Sequence, residues 1–290
     1  MAKSNDILNV GSFSLIKRIG TGARSTIYLA ADLQDHNQVA LKRVIFEKPE
    51  DLRIFDQVET EYRMGRRIDH PYVRKCYKLK KKRGMFRVKE MLLSMEHFDG
   101  LSLEDGPSLS LLDVLLVFRM VATGLNAMHQ QGYVHCDIKP NNILMNNESG
   151  SIKIIDLGQS CRIGTTKQRI QGTPDYIAPE QVRRKPMGPK TDIFNLGATM
   201  YWALTGGNIP TLIPKKRESL GLVVPKTCRS PHEIKKQIPR SLSNLVMECI
   251  KEDAAKRPPN MMTIVSRLDI MVHDLVGDKM KVGKNAPKDN

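Results

Sequence analysis

The sequence predicts an α+β chain in which a sheet-rich first third joins a mainly helical remainder near residue 98. Three observations carry this. Apolar and polar residues alternate in successive segments before residue 46, the period of strands with two unlike faces. Leu111, Val114, Phe118, Val121, Leu125 and Met128 then recur at spacings of three and four, the stripe of a long amphipathic helix. Beyond it, helical stretches are separated by Pro- and Gly-rich loops, which punctuate regular elements.

Taken in order, "SFSLIKRIG" puts Phe13, Leu15 and Ile19 on one face, and "STIYLAADL" follows a glycine turn. "QVALKRVIF" sets Ala40, Lys42 and Val44 on a common face. A helix over about Leu52 to Ile68 ends where "HPYV" breaks it. Strands near 73–79 and 85–95 flank a basic turn at Lys80–Gly84. The long helix stops at Gly132, and short strands follow near Ile143–Met145 and Ile152–Ile155. This gives an N-terminal extension over 1–10, a sheet lobe over 11–97, a helical lobe over 98–275 and a loose basic tail over 276–290.

At 290 residues, 40% hydrophobic and 27% charged, the chain can bury one large core or two lobes. The most apolar stretch, Leu111 to Met128, contains Asp113 and Arg119, and the first ten residues lack the apolar core of a secretory signal. Five cysteines without a CxxC pair fit a reducing, cytoplasmic setting better than a disulfide framework or zinc site. The net charge of +15 raises the question of nucleic acid. The one dense run, "KLKKKR" at 78–83, has no aromatic interleaving, which disfavours nucleic acid. It reads first as a solvated hairpin face and otherwise as a docking surface for acidic protein segments, anionic lipid or nucleic acid.

Some residues can do chemistry. Gly20 and Gly22 in "IGTGARST" let a backbone fold closely over a ligand, although such a pair also makes an ordinary hairpin turn; the Walker A spacing is absent. Lys42, if its face is covered, needs an acid or an anion beside it. Asp137, Asn142 and Asp156 offer the oxygens a hard cation takes together with phosphate. Each alone reads equally as a loop or turn residue.

Order and spacing say more than any one of them. "GTGARS", "VALK", "HCDIKPNN", "DLG", "GTPDYIAPE", "TDIFNLG" and the arginine of "KRPPN" follow one another as in the eukaryotic-type serine/threonine protein kinases, which the chain resembles over nearly its whole length. The resemblance implies a two-lobed fold with ATP and magnesium, or manganese, as cofactors. It implies that Lys42 holds the phosphates and pairs with Glu61, and that Asn142 and Asp156 hold the metal. Asp137 would take the substrate proton and Lys139 would steady the γ-phosphate. Ile19, Ile27, Ala40 and Leu144 match the apolar walls around adenine, and Glu96 and Phe98 match the linker whose backbone reads the base, with Met95 behind them. Glu180 would pair with Arg257, Asp192 would brace the catalytic loop, and Thr173 would bond to it. Thr165 and Thr166 are candidate autophosphorylation sites.

Four positions depart from the family pattern. Ser25 stands for the third loop glycine and Leu157 for a phenylalanine. Gly65 stands where an apolar side chain is usual, and is expected to leave a hole that Met64 fills. Cys136 stands for the arginine that grips a phosphate on the activation segment, so activity without segment phosphorylation is expected. Cys161 lies where a second basic residue is common. The two thiols read either as inert fillers or as a redox latch.

The leading expectation is a kinase acting on serine and threonine hydroxyls of proteins, acidic ones among them, either in the cytoplasm or as the cytosolic domain of a longer protein. The rival is a pseudokinase, a nucleotide-binding scaffold with little turnover. A kinase of small molecules or lipids is disfavoured by the complete "GTPDYIAPE" segment.

Overall fold

The computed structural model describes residues 9–22, 24–85, 87–210 and 228–284. The chain divides into two compact units, one comprising the residues up to Asp99 together with Ile155–Gln159, the other the remainder. The division falls two residues beyond the expected joint.

The first unit holds β1 (Asn9–Val10), β2 (Phe13–Gly22), β3 (Ser25–Asp32), β4 (Gln38–Ile45), α1 (Leu52–Arg67), β5 (Cys76–Arg83) and β6 (Val88–Glu96). The strands form one antiparallel sheet in the order β1-β2-β3-β4-β6-β5. Its two faces are sorted by period two along β4. Val39 and Leu41 bury with Phe13, Ala30 and Leu92, while Ala40 and Val44 bury with Phe55 and Val58 of α1. On α1 the buried positions Phe55, Val58, Glu61, Met64 and Gly65 step by threes and fours. Glu61 is therefore carried inward by an otherwise apolar stripe.

Several sequence expectations change here. Ile19 does not share a face with Phe13 and Leu15, because β2 slips register between Leu15 and Lys17 and again between Arg18 and Gly20. Each bulge inserts a residue and breaks the alternation, leaving Ile19 exposed. The basic run is not a turn but the body of edge strand β5, and β6 begins only at Val88. Lys78 pairs with Asp32, Lys81 with Glu59 and Lys82 with Glu90, while Lys80 bonds Ser12 and lies over the Phe13 ring. Asp32, Ser12 and Phe13 belong to other strands or their flanks and Glu59 to α1, partners that local composition cannot show, whereas Glu90 lies directly opposite Lys82 on β6. Lys81, Lys82 and Arg83 are exposed, as a solvated hairpin face requires. The sheet already starts at Asn9, inside the expected extension; residues 1–8 of that extension lie outside the described residues.

The second unit contains β7 (Leu101–Ser102), α2 (Leu111–Gln130), β8 (Tyr133–Val134), β9 (Ile143–Met145), β10 (Ile152–Ile154), β11 (Cys161–Arg162), α3 (Pro179–Val182), α4 (Pro189–Thr205), α5 (Pro231–Ile234), α6 (Arg240–Cys249) and α7 (Met261–Lys284). Its strands form a three-stranded sheet, β10-β9-β7, and the pair β11-β8. Ser110 and Asp113 close a reciprocal capping box at the start of α2, and Gly132, at φ +81°, turns the chain after its end. Among the described residues α2 is the one helix long and apolar enough to cross a membrane. Its stripe from Val114 to Met128 is buried, and α2 packs within the unit against α4 and α7. Helix α4 is buried almost all round, and Gly197 admits Cys249 of α6: a Cβ there would lie 2.4 Å from the cysteine Cβ. Helix α7 runs to Lys284, so residues 276–284 of the expected tail are helical; residues 285–290 lie outside the described residues.

Candidate active site

In the first unit the pleat of β4 aims Lys42 at α1, where its Nζ lies 2.7 Å from Oε2 of Glu61. The side chains are 15% and 4% exposed. Burial disfavours the ammonium, but Glu61 and then Asp156 outweigh it and hold Lys42 above its ordinary value. Glu59, two residues earlier, pairs with Lys81 instead.

Asp156 has a left-handed backbone, φ +61°, unusual for a residue with a side chain and found where function fixes the geometry. Gly158, two residues on, packs so tightly that a Cβ would meet Gln57 of α1 at 3.2 Å. Arg74 was missed by sequence reasoning. It is 7% exposed, its Nε has no partner among the described residues, and burial holds its guanidinium below the ordinary value, which Glu61, Cys76, Glu96 and Asp156 offset only in part. An arginine directly after the apolar "PYV" was the available signal.

Gly65 leaves no hole. A Cβ there would strike Cys76 Sγ at 2.4 Å, so the β5 cysteine fills the space that Met64 was expected to fill. In the glycine-rich hairpin, a Cβ on Gly22 would lie 2.7 Å from Ser25 Oγ, whereas one on Gly20 would make only an ordinary 3.7 Å contact with Ile27. Arg24 at the hairpin tip bonds Asp51, just before α1, and with two backbone N–H groups draws that carboxyl down to about 2. Ala40 and Met95 are fully buried, with Ile27 packed against them. Ile19 is exposed and Phe98 half-buried. Glu96 closes β6 with its N–H on Lys75 O, and its carboxylate accepts from Lys75 N–H.

The second unit carries the catalytic-loop candidates. Asp137 accepts from Thr173 Oγ1 at 3.1 Å, and Lys139 Nζ lies 3.2 Å from its other oxygen while donating to Thr173 Oγ1 at 2.8 Å. Asn142 Nδ2 donates to the Asp137 carbonyl at 2.8 Å and lies 3.3 Å from its carboxylate. The amide nitrogen thus faces Asp137, which turns the amide oxygen, the atom a cation needs, the other way. Beneath the loop, fully buried Asp192 accepts the N–H groups of His135 and Cys136 and meets His129 Nε2 at 2.8 Å. Burial opposes its charge, but His129 and these donors keep it below the usual carboxylate range. Leu144, on β9, is half-buried.

The segment from Cys161 to Glu180 is tied to this loop. Cys136 and Cys161 face each other with Sγ atoms 3.8 Å apart. Gln181, also missed by sequence reasoning, is buried; its Nε2 donates to Cys136 O at 2.8 Å and Gln171 O at 3.2 Å, and its Oε1 accepts from Ala178 N–H and Asn195. A glutamine directly after "APE" was its only sequence signal. Glu180 meets Arg257 in a two-pronged ion pair at 2.8 and 3.0 Å. Thr166 is exposed, whereas Thr165 is half-buried and bonded through its backbone to Arg162 and Met187.

Among the described residues no three His, Cys, Asp or Glu side chains gather into a metal-holding group.

Comparison with known proteins agrees with the motif order. The family model described as "Protein kinase domain" matches residues 13–267. The chain is 26% identical to the serine/threonine-protein kinase PrkC of Bacillus subtilis, covering 85% of this chain and 38% of that protein. It is 25% identical to a probable serine/threonine-protein kinase of Clostridium acetobutylicum, covering 92% and 41%. It is 27% identical to the smooth-muscle myosin light chain kinase of Gallus gallus, covering 88% and 13%. The chain thus spans well under half the length of these relatives.

Proposed function

Because the chain belongs to the protein kinase domain family and is a serine/threonine kinase domain by its relatives, we propose that it transfers the γ-phosphate of ATP to protein hydroxyls with magnesium, manganese substituting, and without a phosphorylated activation segment. The observation that carries the enzymatic reading over the pseudokinase one is the placement of Asp137, which accepts from Thr173 Oγ1 at 3.1 Å with Lys139 Nζ 3.2 Å away. A nucleotide-binding scaffold could use the Lys42–Glu61 pair to hold phosphate, but it has no need of a proton acceptor with a lysine beside it.

In this reading Lys42 positions the phosphates, and Asn142 and Asp156 hold the metal, which neutralises charge on the phosphate oxygens when bound. Asp137, oriented by Thr173 and Asn142, receives the hydroxyl proton, and Lys139 steadies the transferred group. Ile19, Ile27, Ala40 and Leu144 would enclose the adenine and the backbone at Glu96 and Phe98 would read its edge. Positioning and charge supply most of such a rate enhancement. Independence from phosphorylation is supported by Cys136: its side chain cannot grip a phosphate, and Gln181 already holds its carbonyl. The charge of +15 favours acidic acceptors, and five free cysteines suit a cytoplasmic setting.

The test is phosphate incorporation into acidic and basic protein acceptors by phosphatase-treated enzyme. Turnover should survive the phosphatase within about twofold and fall by about 10²–10⁴ in Asp137→Asn. Wild type no faster than Asp137→Asn would establish the scaffold reading instead.

A further inference from the structure

Resting on the kinase reading, we infer that Cys136 and Cys161 form a reversible disulfide with a low-molecular-weight disulfide of the oxidised-glutathione class, a covalent tie between the catalytic loop and the start of the activation segment. The backbone brings them together. β11 pairs with β8, Cys161 opposite Val134 and Arg162 opposite Tyr133, and Ile163 N–H donates to Gly132 O. Cys136 follows Val134 by two residues and shares an apolar cluster with it, Met187 and Cys161. The thiols sit 3.8 Å apart, and a disulfide needs them at about 2.05 Å.

The two thiols are unequal. Cys136 is 1% exposed, whereas Cys161 is half-buried, so an oxidant reaches Cys161 first. The hydrogen bond between the two thiols, helped by Lys167, lowers the Cys161 thiol against its burial, while the same bond and burial together raise that of Cys136. The exchange then runs in two steps. Cys161 thiolate attacks one sulfur of oxidised glutathione, forming a mixed disulfide and expelling one glutathione thiolate, which takes a proton from solvent. Cys136, losing its proton to solvent, attacks Cys161 Sγ and expels the second glutathione. Two thiols are oxidised, and one glutathione disulfide is reduced to two glutathione molecules.

The consequence follows from what anchors each end. Cys136 is held by its N–H on Asp192 and by Gln181 on its carbonyl. β11 is only two residues long, so closure draws Cys161 toward the loop and leaves Asp137 in place. The disulfide thus performs the task of the missing arginine: it fastens the segment without a phosphate.

The full chain is incubated with oxidised glutathione and digested without reductant. The expected result is a Cys136–Cys161 linked peptide, a mass lower by two hydrogens, and reversal by dithiothreitol. Cleavage by trypsin after Lys167 and Arg169 should slow by about fivefold or more, with turnover kept within about twofold. Cys136→Ser should stop at a glutathione adduct on Cys161, while Cys161→Ser should carry none on Cys136. A wild-type adduct that never closes, a link to any other cysteine, unchanged proteolysis or a collapse of turnover on closure would each overturn the proposal. The linked peptide and the proteolysis are read without ATP, so a chain inactive in phosphotransfer would sink the kinase reading and leave this test standing.

Discussion

A Cβ placed on Gly65 would lie 2.4 Å from Sγ of Cys76 and 3.0 Å from that residue's Cβ and backbone nitrogen. Helix α1 leans on β5 at this point, and Cys76 Sγ also reaches Glu61 O at 3.5 Å. The glycine costs the helix about 1 kcal/mol relative to alanine, offset by this close approach. Gly65→Ala should therefore destabilise by about 1–3 kcal/mol despite its better helix propensity. Adding Cys76→Ala should return part of the loss. A higher melting temperature for Gly65→Ala would refute the contact.

Glu61 is the counter-charge for two buried cations, Lys42 and Arg74. Glu61→Gln keeps its shape and should cost about 3–5 kcal/mol, because it strands a buried charge. Arg74→Met in that background should recover part of the loss, a non-additivity that a double-mutant cycle measures. Lys42 is raised from 10.5, so its contribution is complete below pH 10.5 and is lost only as pH climbs through the higher folded value. At neutral pH the variant's deficit should be flat with pH.

Arg257, whose side chain is fully buried, spans Glu180 and the carbonyls of Lys190, Lys251 and Glu252. Arg257→Met should destabilise by about 3–5 kcal/mol. Burial pushes the Glu180 carboxyl up, but Arg257 prevails and holds it below its ordinary 4.5. Stability from this acid is therefore whole above pH 4.5 and lost as pH falls through the lower folded value. Denaturation curves on Arg257→Met should lose that part of the acid slope; an unchanged slope would assign it elsewhere.

Gln181 joins Cys136, Gln171 and Ala178 through one side chain. Gln181→Glu keeps the acceptor for Ala178 but loses the donor to Cys136. It should lower kcat by about tenfold with KM for ATP little changed. Equal losses in Gln181→Glu and Gln181→Leu would trace the effect to the donor, and a silent Gln181→Glu would dismiss it.

The sequence by itself determined the elements whose cause is local. Alternation along β4 put Lys42 on the side of Ala40 and Val44, and the three-and-four stripe of α2 was readable from end to end. The motif order also named Lys42, Asp137, Asn142 and Asp156, since those residue types stand at set distances along the chain. What lay across the chain was hidden. Two bulges in β2 exposed Ile19, and backbone pairing with β6 carried the basic run on as a strand to Arg83. Cys76 filled the space above Gly65, Arg74 went inward beside Glu61, and Gln181 took hold of Cys136. Only the tertiary structure decided these, because period and spacing record which way a side chain points, whereas what it meets depends on segments folded against it from elsewhere.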